Sequence, residues 1–198
     1  FVVDPDLERI LQTGKAGIFL AAHFGSFEAA RVIGPQLGGI SLRIVLDKAV
    51  NGRFIDIMTR INPELENLII DSEQPGVELG LEISDTLKAG QWAGFLADRH
   101  RASDRTTSQN FLGSPTLFPV GPYIIASVFK APVIMVFCRL TPTGYEVHME
   151  TLAFAVDVPR KQRQQAIDAL AADYVGRLEA HVRASPYGWF NFYDFWEN

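Results

Sequence analysis

The segment His23-Phe-Gly-Ser-Phe-Glu28 holds the residues best suited to chemistry. An apolar run, GIFLAA at 17–22, ends at His23; Gly25 permits a sharp turn, and Ser26 is a favoured helix N-cap. This pattern predicts a strand, a turn and a helix that returns the Glu28 carboxylate towards the His23 ring. A carboxylate on one ring nitrogen fixes the tautomer and leaves the other nitrogen to take a proton from a hydroxyl. The same residues also read as a capped helix with an incidental histidine at a strand end. Both readings stand on this segment alone.

Other catalytic signatures are missing. There is no G-x-S-x-G elbow, no H-E-x-x-H, no P-loop and no G-x-G-x-x-G. The four histidines, at 23, 100, 148 and 181, are scattered without ligand spacing, so no metal and no cofactor is expected. Cys138 lies in the apolar run VIMVFCRL and reads as a buried, inert thiol. A general-base histidine without a protein nucleophile suits direct transfer, in which a substrate hydroxyl itself attacks an activated acyl group.

Positive charge gathers at Arg99, His100, Arg101 and Arg105, within a stretch (99–116) of little periodicity that reads as a long loop. It is either solvated or a contact for phosphate. Arg160, Lys161 and Arg163 form a solvated face or a contact for an acidic carrier or anionic bilayer. Residues 187–198, YGWFNFYDFWEN, hold seven aromatics in twelve positions and either pack as core or face a membrane interface.

The elements that must position these groups alternate between strand and helix, which predicts an α/β fold. Strands are expected at 17–22, 42–46, 68–70, 92–97, 133–140 and 145–152, the last two as a hairpin through the turn at 141–144. Phe54, Ile57, Met58 and Ile61 recur at helical spacing before Pro63. Further helices are expected from Ser26, over 77–87 ending at Gly90, over 122–130, and over 160–182. The 92–97 strand delivers Asp98 at its end. With 198 residues, 47% of them hydrophobic, the chain suits one domain with a full core. A net charge of −5 argues against a nucleic-acid binder. The single cysteine excludes an internal disulfide. No apolar stretch is long enough to be read as a transmembrane helix.

At this point the sequence resembles a family. GIFLAAHFGSFE is similar to the HxxxxE block of the lysophospholipid acyltransferase superfamily, in the branch of the late (lauroyl and myristoyl) acyltransferases of bacterial lipid A biosynthesis. ADRHRASDRTTSQNFLGSPTLFPVGP resembles the next block, with Asp98, Phe111, Gly113 and Pro115 in order. Ala131-Pro-Val133 with Arg139, then the tail SPYGWFNFYDFW, match the remaining two. Tyr193 and Asp194 stand where lipid A enzymes carry basic residues, and Asp98-Arg-His replaces a D-Q-D-like block. The chain is thus closer to the less characterised modules of that branch, some of which occur beside or fused to glycosyltransferases. Phe1 as first residue suits a module, 1–198, cut from a longer chain.

The resemblance implies a glycerolipid acyltransferase-like fold, a single α/β domain with a central mixed sheet flanked by helices. It implies His23 as general base and Glu28 as its orienting partner. Gly25 and Ser26 would supply oxyanion donors, with Arg139 or Arg99 assisting, and Asp98, Arg99, Arg101, Phe111 and Gly113 would contact substrate. The implied reaction moves a fatty acyl group from acyl carrier protein or coenzyme A to a hydroxyl of a lipid or glycolipid-like acceptor. It needs no cofactor and works peripherally on the cytoplasmic face of the bacterial inner membrane. Two rivals remain: an acyl-thioester hydrolase using the same base on water, and a non-catalytic lipid-binding module of the same fold.

Overall fold

The computed structural model describes residues 2–26 and 40–196. Seven strands form one mixed sheet in the order β1-β9-β8-β2-β5-β3-β4. They are β1 (Val2–Val3), β2 (Ile18–Ala21), β3 (Leu42–Leu46), β4 (Ile69–Asp71), β5 (Trp92–Leu96), β8 (Val133–Thr141) and β9 (Gly144–Ala153). All neighbours run parallel except β8 and β9, the expected hairpin. The helices are α1 (Pro5–Gln12), α2 (Lys48–Ile61), α3 (Gly76–Lys88), α4 (Gly121–Phe129) and α5 (Arg163–Ala184).

Alternation along β2 shows why both sheet faces are covered. Ile18 and Leu20 join one core with Ile83 of α3, Ala126 of α4 and Tyr174, Val175 and Leu178 of α5. Phe19, between them, points to the opposite core with Trp92, Ile134 and Leu7 and Ile10 of α1. A strand buried on both faces reads as a continuous apolar run, which is the GIFLAA pattern.

The structure corrects the reading of 99–116 as one long loop. β6 (Thr106–Phe111) and β7 (Ser114–Pro119) form a separate antiparallel hairpin. Its strands are mostly polar and solvated, with Phe111, Thr116 and Phe118 as buried anchors, so alternation is faint. Leu112 (φ 53°) and Gly113 (φ 94°) make the two-residue turn, both in the left-handed region that tight hairpins demand. The segment 77–87, whose pattern fits strand or helix, is helical in α3. The 160–182 helix begins one turn later, after a 3₁₀ turn at Arg160–Gln162. β1 and α1 were not foreseen. The helix expected from Ser26 falls on 27–39, outside the described residues. No described helix is long and apolar enough to cross a membrane.

Candidate active site

Two parallel strands in register set the centre of the site. β2 pairs with β5 so that Ala21 lies opposite Leu96. Two residues beyond each partner stand His23 and Asp98, at the carboxyl ends of adjacent strands. The chain leaves β2 towards β3 on one side and leaves β5 towards β8 on the other, so this is the point where connections diverge. Open α/β sheets bind ligands at such points.

Asp98 is fully buried, and its carboxylate accepts three hydrogen bonds. The His23 ring donates from Nδ1 to Oδ1 at 2.9 Å, and the His23 backbone amide donates to Oδ2 at 3.0 Å. Trp189 Nε1 donates to the same Oδ2 at 3.1 Å. Because an ionised carboxylate only accepts, Nδ1 carries the proton. Nε2, at the far corner of a ring whose side chain is 33% exposed, holds the lone pair towards solvent.

The aromatic tail clamps this arrangement. The Phe190 amide donates to the His23 carbonyl at 2.7 Å, the Gly25 amide donates to the Gly188 carbonyl at 2.7 Å, and Phe24 bridges to Trp189. Gly25 has φ +70°, and a Cβ there would lie 1.4 Å from the Cys138 carbonyl oxygen. Only glycine fits. Behind the site the Tyr174 hydroxyl donates to the Ala21 carbonyl at 2.9 Å. Burial, reinforced by Asp98 and Tyr123, pushes that phenol well above its ordinary pKa, so it stays a donor.

A sequence model described as bacterial lipid A biosynthesis acyltransferase matches residues 5–198. The chain belongs to that family. No curated protein sequence matches it. The family match supports acyltransferase activity and agrees with the resemblance carried by the four sequence blocks.

Against this lipid A acyltransferase background, the structure places the expected site residues unevenly. His23 and Asp98 come together, with Asp98 on the ring nitrogen where Glu28 was expected. Glu28 lies outside the described residues. The Gly25 amide, one of the two expected oxyanion donors with Ser26, donates to the Gly188 carbonyl. Burial pushes the Cys138 thiol up, with a Ser26 backbone hydrogen bond opposing it, as suits an inert core residue.

Arg99 reaches across the site to the tail: Nη2 donates to the Phe190 carbonyl, and the guanidinium lies 5.4 Å from the Tyr193 ring centroid. Its buried Nε has no partner among the described residues. Arg101 meets three carboxylates through Nη1 and Nη2. It pairs with Asp47 and Asp104, each at 3.3 Å, and with Glu73, tying the segment after β5 to the ends of β3 and β4. These ion pairs brace the segment after β5, and the Arg101 side chain stays 39% exposed. Phe111 is fully buried between Phe118, Trp189 and Phe195, where it supports the tail. Gly113 forms the hairpin turn, and a Cβ there would meet nothing. Arg139 pairs with Glu146 across the β8–β9 hairpin.

Sequence reading missed Trp189 as a donor to Asp98 and the pairing of 188–190 with 23–25. The tail's aromatic density signalled importance without saying which ring faces inward. The two readings of the tail divide by residue: Phe195 is core and Trp189 packs against it, while Tyr187, Phe190, Phe192 and Tyr193 are exposed.

Proposed function

We propose that this family member transfers a fatty acyl group from an acyl thioester, on acyl carrier protein or coenzyme A, to a hydroxyl of a lipid or glycolipid acceptor. The observation that carries the reading is the hydrogen bond from His23 Nδ1 to buried Asp98, in a chain of an acyltransferase family. His23 Nε2 takes the acceptor hydroxyl proton as the oxygen attacks the thioester carbonyl carbon. The tetrahedral intermediate collapses, the carbon–sulfur bond breaks, and the imidazolium returns its proton to the leaving thiolate. The chemistry balances without a covalent enzyme intermediate.

Asp98 holds Nδ1–H and stabilises the imidazolium that forms, the role of the buried acid in hydrolytic triads. Glu28, expected from the resemblance as the orienting carboxylate, is a second acid for comparison with it. Negative charge developing on the carbonyl oxygen needs an aimed donor. Arg99 Nε–H, buried and without a partner among the described residues one position after Asp98, is the donor assigned here to an oxygen of the substrate.

The exposed rings of Tyr187, Phe190, Phe192 and Tyr193 stand beside the His23 clamp. Aromatic side chains of this kind favour the headgroup level of a bilayer, which supports peripheral membrane contact, and the family resemblance implies the cytoplasmic face of the inner membrane. The purified protein, given an acyl thioester with and without a hydroxyl-bearing lipid, tests the reading. Mass spectrometry should find acyl ester when the acceptor is present. Free fatty acid as the sole product, whether or not the acceptor is supplied, would identify a hydrolase.

A further inference from the structure

We propose that His148, Glu150 and His181 form a binding site for a single divalent transition-metal ion of the zinc class, tying α5 to β9. Sequence spacing concealed it. His148 and Glu150 are two apart on β9, and strand alternation turns both to the sheet face on which α5 packs. Val147 and Met149, on either side of His148, enter the opposite core. His181 arrives on the last turn of α5, and one ligand atom from each of the three residues lies within 4.8 Å of the others.

The donor chemistry is selective. Two imidazoles and one carboxylate are a common protein ligand set for zinc, and they leave a fourth position for water. Oxygen-seeking ions such as calcium and magnesium find too few oxygens here. The groups are partly shielded, with side-chain exposures of 16% for His148, 28% for Glu150 and 11% for His181. Without metal, His181 Nε2 and Glu150 Oε1 share a hydrogen bond at 2.7 Å, and a metal would displace that proton.

The surroundings orient the ligands. Arg177 lies 3.6 Å from Glu150 Oε2, leaving Oε1 to face His181. The His181 ring is fixed by Phe137, with centroids 4.4 Å apart, and the His148 ring stands edge-on to it at 5.0 Å. Glu146, paired with Arg139, accepts a hydrogen bond from His148 Nε2 at 3.0 Å, and must release that nitrogen if His148 ligates through it. Phe24, beside His23, contacts the His181 ring edge-on at 6.1 Å, so the site borders the catalytic segment without entering it. The metal therefore supports α5 and is separate from the acyl-transfer chemistry.

The test is zinc chloride titration of chelator-stripped wild-type protein, followed by calorimetry and thermal unfolding. One equivalent should bind. The unfolding midpoint should rise by roughly 5–10 °C once free zinc reaches about 100 times Kd. His148→Ala and Glu150→Gln, checked by circular dichroism, should each weaken binding by more than the roughly 10–100-fold that loss of an outer-sphere partner costs. Absence of a stoichiometric site in wild type would overturn the proposal, as would undiminished zinc affinity in both folded variants. Cobalt(II) gives a reading on wild type alone: intense visible bands of a tetrahedral site support it, and the pale spectrum of hydrated ion contradicts it.

Discussion

His23 and Asp98 are joined twice, through the histidine ring and through its own backbone amide, to the two oxygens of one buried carboxylate. The double contact fixes ring and main chain together. It follows from in-register pairing of β2 with β5, which leaves both residues two positions beyond the sheet. Trp189 completes the carboxylate's acceptor set from the far end of the chain.

Asp98→Asn replaces one acceptor oxygen by an NH₂ group. Three donors then face one oxygen and one competing donor, so the His23 tautomer is no longer enforced. The rate should fall by about 10²–10⁴. Steady-state kinetics on Asp98→Asn and Glu28→Gln apportion the orienting role. The larger loss is expected for Asp98→Asn, and a near-normal rate in that variant would remove it from the mechanism.

Gly25→Ala forces a methyl group into the Cys138 carbonyl at a left-handed backbone position. The turn must move, and the 188–190 clamp moves with it. A loss of roughly 2–4 kcal/mol is expected from denaturant unfolding. A variant of unchanged stability would show that the turn at His23 is not held as described.

Glu179 accepts the Leu112 amide at 2.8 Å and pairs with Arg183, bracing the β6–β7 hairpin tip against α5. These contacts, the Leu112 hydrogen bond first, hold its carboxyl below the usual glutamate value. A lowered folded-state pKa means stability that is complete above the unfolded value, near 4.3, and is lost as pH falls through the folded one. Glu179→Gln should cost about 1 kcal/mol at pH 7, or roughly 2–4 °C in Tm. Thermal melts at decreasing pH should show that gap closing below about pH 4. A gap that persists unchanged into strong acid would assign the effect to something other than this carboxylate.

Among the described residues Tyr187 and Phe192 are the most exposed aromatics, at 98% and 89%. If they enter a bilayer interface, each contributes on the order of 1.5 kcal/mol, so Tyr187→Ser with Phe192→Ser should weaken vesicle binding roughly 100-fold. Co-sedimentation with anionic vesicles measures this. Unaltered binding would place the membrane contact elsewhere.

Much of this was legible in the residues, for identifiable reasons. β2, β5 and β8 announce themselves because strands covered on both faces are apolar throughout. His23 and Gly25 stand out because a histidine at a strand end followed by glycine is chemically conspicuous. The β6–β7 hairpin escaped because a mostly solvated strand pair has almost no alternation, and its turn begins with leucine instead of glycine or asparagine. Asp98 was seen as the end of a strand, but its meeting with His23 depends on sheet order. No local spacing encodes that order. Trp189, 166 positions after His23, is further out of reach for the same reason. The ion pairs of Arg101, read as solvated or as a phosphate contact, were not foreseen because its carboxylates lie on three separate segments. His148 and His181, scattered in sequence, meet across β9 and α5.

The central claim is that His23 is the base for acyl transfer, and ester formation by His23→Ala tests it most directly. The substituted protein keeps the Asp98–Trp189 contact and should fold, which circular dichroism and its melting temperature verify. The rate of ester formation from acyl thioester and hydroxyl-bearing lipid should fall by about 10²–10⁴. A folded His23→Ala protein that forms the ester at the wild-type rate would contradict the account.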